Sequence, residues 1–395
     1  MNDPLPAPSP LNDPANIAAF LREPGLLRAA AAGAGIAADD GERIARAARE
    51  LLASPDRLAD LVRCATTLFS ADGWNAADWK DTPRDDSAGE QFFLLLPLLQ
   101  HLATMRADYA ARGIPDEVLQ ATLADFPLWI DTHHQRTGHR GFREIGWLRE
   151  HVACRVIRLG RLQFQPATYS MPFVVLAHGQ SGELRIAACG GRCATASGVF
   201  ADSEGAAGPA FELTFEEADG EIRKAHLVQA GGAIATEPTA FEPGVWERRL
   251  SPGDPALALH IPAGAPLAFD DCRASFQMAD AFYPRHFADL PAPRAAICSS
   301  WLFYPGLADT LPATSNIVRF QRAFLRVPLP GATANQTYER AFSPHGRAVT
   351  REQLATSLQR RLFEHIAAGH VPLSTGAIFL PPLRDWGRIK SPATA

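Results

Sequence analysis

The sequence predicts an α+β fold: an all-α helical first half, followed by a mixed, mainly antiparallel sheet flanked by helices. Three observations carry this reading. From about Ala15 to His151 apolar residues recur three or four apart, the spacing of one face of a helix. Near Cys154 the pattern changes to strict alternation, the period of a half-buried strand. At 395 residues the chain is also too long for one ordinary domain. The expected division is a leader over 1–14, a helical domain over 15–152 and a sheet domain over 153–390.

The leader, rich in Pro, Asn and Asp, reads as extended or disordered. Ile17–Ala31 is an Ala- and Leu-rich helix. Asp40–Ala53 places Ile44, Ala47, Leu51 and Leu52 on one face, and Asp56–Phe69 repeats this with Leu58, Leu61, Val62 and Leu68. Gln91–Arg112 is a long buried helix kinked or delayed by Pro97. Pro115, Asp116 and Glu117 suit a helix start, where a missing N–H is no loss and acids meet the positive end of the dipole.

In the second half, Cys154–Phe164 alternates as one strand. Pro172–Ala177, Glu183–Ala188, Phe211–Glu217 and Ile222–Gln229 follow as strands, the last two joined by a tight turn at Ala218-Asp-Gly220. The Gly- and Ala-rich stretch Cys189–Ala210 reads as a flexible loop. Trp246–Leu250, Ala256–Ile261 and Ala295–Phe303 are strands; Asp270–Tyr283 and Ser315–Arg326 are helices. Tyr338–Phe342 reads as a strand. A helix from Thr350 to about Ala367 opens on a capping box, and Gly376–Leu380 is the last strand.

Composition narrows the function. With 47% hydrophobic and 21% charged residues the chain can bury sizeable cores. A net charge of -5 and a pI near 6.2 argue against nucleic acid or an acidic membrane as partner. No apolar run approaches the ~18 residues of a spanning helix, and the N-terminus lacks the basic and apolar segments of a secretory signal. A cytoplasmic protein is expected. Its six cysteines are sparse and mostly in apolar surroundings, as expected of reduced thiols; Cys189 and Cys193 form the one close pair, with no second Cys or His pair beside it for zinc.

Leu257–Leu267 is the most informative segment. A strand stops at Pro262, a loop with Gly264 follows, and a helix opens near Asp270-Asp271. A strand ending in such a loop aims backbone N–H groups and a helix N-terminus at one point, which attracts anions.

Trp129–His134, Gly146-Trp-Leu148, Leu159–Phe164, His260-Ile-Pro-x-Gly264, Cys298-x-Ser-Trp-Leu302 and Ser315-Asn-Ile-Val318 together, in this order and spacing, resemble a bacterial acyltransferase-like family. Its members join a helical N-acyltransferase N-terminal domain to a GNAT-like C-terminal domain, and the resemblance spans about residues 40–385. It implies direct transfer of an acyl group from acyl-CoA or acetyl-CoA to an amine. It also implies a Gln/Arg-x-x-Gly-x-Gly/Ala loop for the pyrophosphate. The equivalent segment, Ile261–Leu267, departs from that pattern: it offers Gly264 and Ala265, and Pro262 and Pro266 remove two N–H donors.

Acyl transfer needs a base for the amine, donors for the oxyanion and an acid for the leaving thiolate. His260, at a strand end, is the candidate base, or else a strand-end cap. Cys298 and Ser300 share a face of the next strand and are expected beside His260, Cys298 as a packed thiol or as a nucleophile. Tyr304 stands in the general region of the acid tyrosine of GNAT enzymes. Ile261, Gly264, Ala265, Asn316 and Arg319 are the candidate cofactor-binding residues. His134, Arg161, Gln163 and Trp301 are candidate contacts of the acceptor, a small-molecule amine. His133, His134 and His139 lie within seven positions; either Asp131 and His134 meet a metal or the segment is structural, and no metal is expected. The alternative to an acyltransferase is a non-catalytic protein on a degenerate GNAT scaffold, binding a small ligand or a partner.

Overall fold

The computed structural model describes residues 13–70, 75–79 and 83–388. The chain falls into two compact units: residues 1–159 with 262–264, and residues 160–261 with 265–395. The leader expected over 1–14 lies almost wholly outside the described residues.

The first unit is helical: α1 (Ile17–Leu21), α2 (Pro24–Gly33), α3 (Ala38–Leu52), α4 (Pro55–Leu68), α5 (Ala88–Phe92), α6 (Leu96–Ala111), α7 (Asp116–Leu123), α8 (Asp125–Thr137) and α9 (Ile145–Val152), then the short strand β1 (Ile157–Leu159). Two expected helices are each divided. Pro24 begins α2 rather than continuing α1, because its ring cannot donate to the preceding turn; Pro97 likewise falls in the first turn of α6. The stripe on α3 is buried as expected, with Ile44, Ala47 and Leu51 at most 2% exposed. Leu27, Leu61, Leu68, Leu98 and Leu102 of the same unit are likewise at most 1% exposed.

Among the described residues the second unit holds two large sheets and a small two-stranded one. Its strands are β2 (Leu162–Thr168), β3 (Phe173–His178), β4 (Leu184–Ala188), β5 (Cys193–Ala194), β6 (Phe211–Glu212), β7 (Phe215–Ala218), β8 (Glu221–Val228), β9 (Ile234–Ala240), β10 (Trp246–Leu250) and β11 (Pro255–His260). After α10 (Phe269–His286) come β12 (Ala295–Ser300), α11 (Gly306–Thr310), α12 (Asn316–Gln321), β13 (Leu325–Val327), α13 (Asn335–Ala341), α14 (Ser357–Ala367) and β14 (Thr375–Phe379). One sheet runs β2-β11-β12-β14-β13, antiparallel except for the parallel pair β11–β12. The other runs β10-β3-β4-β8-β7, with β9 also on β8.

Alternation sorts each strand of the first sheet into two faces. Ala256, Ala295, Ile297, Leu325, Val327 and Ile378 join Phe173, Val175, Ile186 and Leu250 of the second sheet in one apolar core. The opposite face carries Phe164 and Phe379, both against Phe276 of α10; Trp386 stacks on Phe276 at 4.7 Å, and Tyr283 donates its hydroxyl to the Phe164 carbonyl.

Several expectations are corrected. Residues 189–210 are not a loose loop: β5 pairs with β6, and Ala194 and Phe200 are buried in the intersheet core. Tyr338–Phe342 lies on α13 and its end, not on a strand, with Tyr338 and Phe342 facing a small helical cluster. The helix expected over Ser315–Arg326 stops at Gln321 and the chain turns into β13. A second capping box at Thr356 and Gln359 starts α14 six residues after the one at Thr350. The alternating run through Cys154–Phe164 is broken by a turn at Gly160-Arg161. The turn at Asp219-Gly220 is as read, both residues having positive φ (54° and 78°), as a two-residue hairpin requires.

Candidate functional site

The parallel strands β11 and β12 pair from Ala256–Ala295 to Ala258–Ile297, and there their pairing ends. Each continues: β11 to His260, still paired to β2 at Gln163, and β12 to Ser300, still paired to β14 at Thr375. The two central strands therefore keep their outer neighbours and part from one another. A wedge opens at their carboxyl ends, where sheets with parallel strands bind ligands.

Register decides which side chains share this wedge. His260 stands opposite Gln163, and its Nε2 lies 3.0 Å from Oε1 of Gln165, the next residue on that face. This contact orients the His260 ring on the wedge face. Gln163 is 1% exposed and His260 half-buried. Extending the register, Ser299 falls on the same face. Cys298 and Ser300 fall on the other, beneath α10, so the expected grouping of both with His260 does not form. Cys298 is buried and burial pushes its thiol up to about 12, the state of a packing residue rather than a nucleophile. The Ser300 hydroxyl accepts from the Leu302 N–H at 3.2 Å, capping a one-turn 3₁₀ helix.

The loop after β11 is held from β2. Arg161 donates Nε to the Pro266 carbonyl and Nη2 to the Ala265 carbonyl, both at 2.8 Å. Arg161 thus sits in the turn and braces the loop, and does not share a strand face with Gln163 as expected. Its own N–H donates to Ser275 Oγ at 2.9 Å, and that hydroxyl donates to the Asp271 carbonyl on α10. Gly160 is required here: its φ is +67°, and a Cβ would come within 3.0 Å of Ser275 Oγ. Gly264 also has positive φ, +88°, while Ile261 is half-buried and Ala265 exposed.

The α10 N-terminus has no side-chain cap, which leaves first-turn N–H groups for another acceptor. Asp270 and Asp271 oppose an anion there, and two arginines oppose the acids. Arg319 lies 4.4 Å and Arg273 5.3 Å from the Phe269 ring, with Arg273 also paired to Asp270 at 3.3 Å. Arg319 is thus brought to this helix end, while Asn316 is exposed on the first turn of α12.

Tyr304 and Trp301 pack against the α11–α14 helical cluster. The Tyr304 hydroxyl lies 2.9 Å from Nε2 of His365, whose ring stacks on His370 at 4.0 Å. Burial pushes the Tyr304 hydroxyl up and His365 down, so a neutral tyrosine donates to a neutral imidazole. Trp301 donates its backbone N–H to Gln336 Oε1.

In the helical unit Asp131 pairs with Arg140 at 2.7 Å and is not shared with His134, which is exposed. His133 contacts Gln91 Oε1 at 3.1 Å in a cavity of about 450 Å³ that Asp86 and His139 also line; burial, then the Arg143 charge, lowers it to about 4. Among the described residues no three His, Cys, Asp or Glu side chains are grouped to hold a metal, and no helix is long and apolar enough to cross a membrane.

Sequence reasoning did not single out Gln165, Ser299, Ser275 or His365. Gln165 had a signal: glutamines at 163 and 165 place two polar side chains on one face of a strand whose alternate residues, Leu162 and Phe164, are apolar.

A GNAT-like C-terminal domain matches residues 156–379, and an N-acyltransferase N-terminal domain matches residues 26–154. The chain belongs to this N-acyltransferase family. Similar solved structures share its fold. An acyltransferase in complex with decanoyl-CoA superposes with a TM-score of 0.56 at 20% identity, covering 96% of this chain and 91% of its own. Another, in complex with decanoyl-CoA and teicoplanin, gives 0.53 at 23% identity, covering 85% and 84%. An acyltransferase mutant in complex with octanoyl-CoA gives the same values. No curated protein sequence matches the chain.

Proposed function

We propose that the protein is an acyl-CoA-dependent N-acyltransferase that acylates the amine of a small molecule. The observation that carries this is the parting of β11 and β12 beyond Ala258–Ile297. Parted strands that keep their outer partners present two backbone edges to an inserted chain, and the amide-bearing pantetheine arm is a chain of that kind. Family membership gives the reaction class. The structural relatives with octanoyl- and decanoyl-CoA support a medium-chain donor.

The pyrophosphate lies by the loop over 261–267 and the α10 N-terminus, with Arg273 and Arg319 supplying positive charge. The thioester carbonyl reaches the wedge. The acceptor nitrogen attacks it, a C–N bond forms and the C–S bond breaks. His260 takes the amine proton while Gln165 fixes the ring, and the CoA thiolate then takes that proton from His260 through water, leaving an amide, free CoA and neutral His260. Cys298 has no part in the reaction, and Ser300 and Trp301 shape the strand end.

The test is binding and turnover together. Octanoyl-CoA at a hundredfold excess over its Kd should stabilise the native state by about 2.7 kcal/mol, read as a raised melting temperature. Mass spectrometry of a panel of amines, teicoplanin included, should then find an acylated product. Acyl-CoA binding with no product on any amine would favour the binding-protein alternative; no stabilisation by any acyl-CoA would remove the CoA reading.

A further inference from the structure

The intersheet core is not filled at one end. Ala177 and Leu184 of the second sheet and Leu325 and Ile378 of the first line a cavity of about 530 Å³, with Arg249 and Arg294 the charged residues of its wall. This volume is within the ~300–1,000 Å³ range of small-molecule sites. It is also not the wedge. On β12 the wedge opens beyond Ile297 and carries Ser299 on the His260 face, whereas the cavity lining on β14 starts at Ile378, opposite Ile297, and continues through Phe379, opposite Ala296, toward the other end of the strand. At ~3.3 Å per residue their nearest levels are about 7 Å apart along the strand, and from there the two run in opposite directions.

Its chemistry is amphipathic. The wall is chiefly apolar, and its charged groups are two guanidiniums and no carboxylate. The acids that pair with these arginines, Glu247 with Arg249 at 3.2 Å and Asp254 with Arg294 at 3.5 Å, do not line the space. Both arginine side chains are about half exposed (53% and 48%), so their remaining donors meet solvent at low cost in ordering. An uncharged alkyl ligand would leave the cations unused, and a cationic one would be repelled. A polar anion would gain nothing from the leucine and isoleucine wall.

We propose that this cavity is a second binding site, for a medium-chain carboxylate such as a free fatty acid, with its chain between the sheets and its carboxylate at Arg249 and Arg294. Guanidinium–carboxylate pairing fixes the head group, and burial of the chain supplies most of the affinity. The site does not depend on the wedge having any activity.

Decanoate is the probe, titrated into the full chain by calorimetry, with decanol and decylamine as controls. Saturable one-to-one binding of decanoate, at least tenfold tighter than decanol and with no binding of decylamine, is expected. The double variant R249Q/R294Q, at partly exposed positions, should keep the unliganded melting temperature and lose at least tenfold in decanoate affinity. Ala177→Trp, which fills the cavity, should abolish binding. No saturable binding, or equal affinity in the wild type and the double variant, would overturn the proposal, as would equal binding of decanol.

Discussion

Replacing Arg161 by methionine separates two roles that one arginine near a cleft can have. Its guanidinium makes two bonds of 2.8 Å to the Ala265 and Pro266 carbonyls. Hydrogen bonds from a charged donor are worth ~1.5–3 kcal/mol each, so their loss removes about 3 kcal/mol of loop ordering at the lower bound. The lower bound applies because Ala265 and Pro266 are exposed and their carbonyls rehydrate once released. If the ordered loop binds the donor, that energy is spent again on binding, and acyl-CoA affinity should fall by about a hundredfold at ~1.4 kcal/mol per tenfold. Turnover at saturating donor should change little, because His260 and Gln165 are untouched. Calorimetric titration of octanoyl-CoA reads the first quantity, and steady-state rates at high donor concentration read the second. Wild-type donor affinity together with a raised KM for the acceptor would refute the argument and return Arg161 to the substrate-contact role that its sequence position suggests.

Other outcomes follow from the same geometry. His260→Ala should lower turnover at least ~100-fold with donor affinity nearly unchanged; a near-normal rate removes His260 as base. Cys298→Ser should keep wild-type activity, since burial holds this thiol near 12, and iodoacetamide should label the exposed Cys193 first; early labelling of Cys298 by mass spectrometry contradicts the assignment. Acid should destabilise the fold between pH 6.5 and 4, because burial lowers His101 to about 4 and His133 to about 4. The unfolded chain takes up those protons first, so stability present above 6.5 is lost as pH falls. For His101 the displacement amounts to about 3 kcal/mol at ~1.4 kcal/mol per pH unit. Chemical denaturation across this range should show the slope, and His101→Leu should reduce it by about half, His133 supplying the rest; an unchanged slope in that variant refutes the assignment.

Elements with strong local signals were legible in the sequence. The α3 stripe, the Asp219-Gly220 turn and the β11-loop-α10 passage are each specified by neighbouring residues. What misled was local pattern without tertiary context. Tyr338–Phe342 has strand-forming aromatics, yet helical spacing puts Tyr338 and Phe342 on one side, against the α14 cluster. The Gly- and Ala-rich stretch over 189–210 looked loose because small residues carry no periodic signal, whereas Ala194 and Phe200 anchor it in the core. The site failed on register. Which residues of β12 face His260 depends on the pairing of β11 with β12, strands separated by α10, and a one-residue difference moves every side chain to the other face. Reading Cys298 and Ser300 as one face was right; placing that face beside His260 was not.

The loop after β11 shows how a departure from a family pattern can be offset elsewhere. Pro262 and Pro266 withdraw two backbone donors from the loop where the family pattern expected from the resemblance has glycines. Asp270 and Asp271 add negative charge at the helix end that would otherwise attract an anion. Against this, Arg273 and Arg319 stand over Phe269, the first residue of that helix, and Arg273 already offsets Asp270. At the proposed site, anion recognition would rest on these guanidiniums rather than on loop amides. Amides set at a loop hold a phosphate with little dependence on salt, since they carry no net charge. Arginines that are partly exposed hold it through charge that salt screens over ~8–10 Å. A donor bound as proposed would keep its contacts and give up rigidity, and Arg161, which ties the loop carbonyls of Ala265 and Pro266, is then the residue on which the geometry of the proposed site depends.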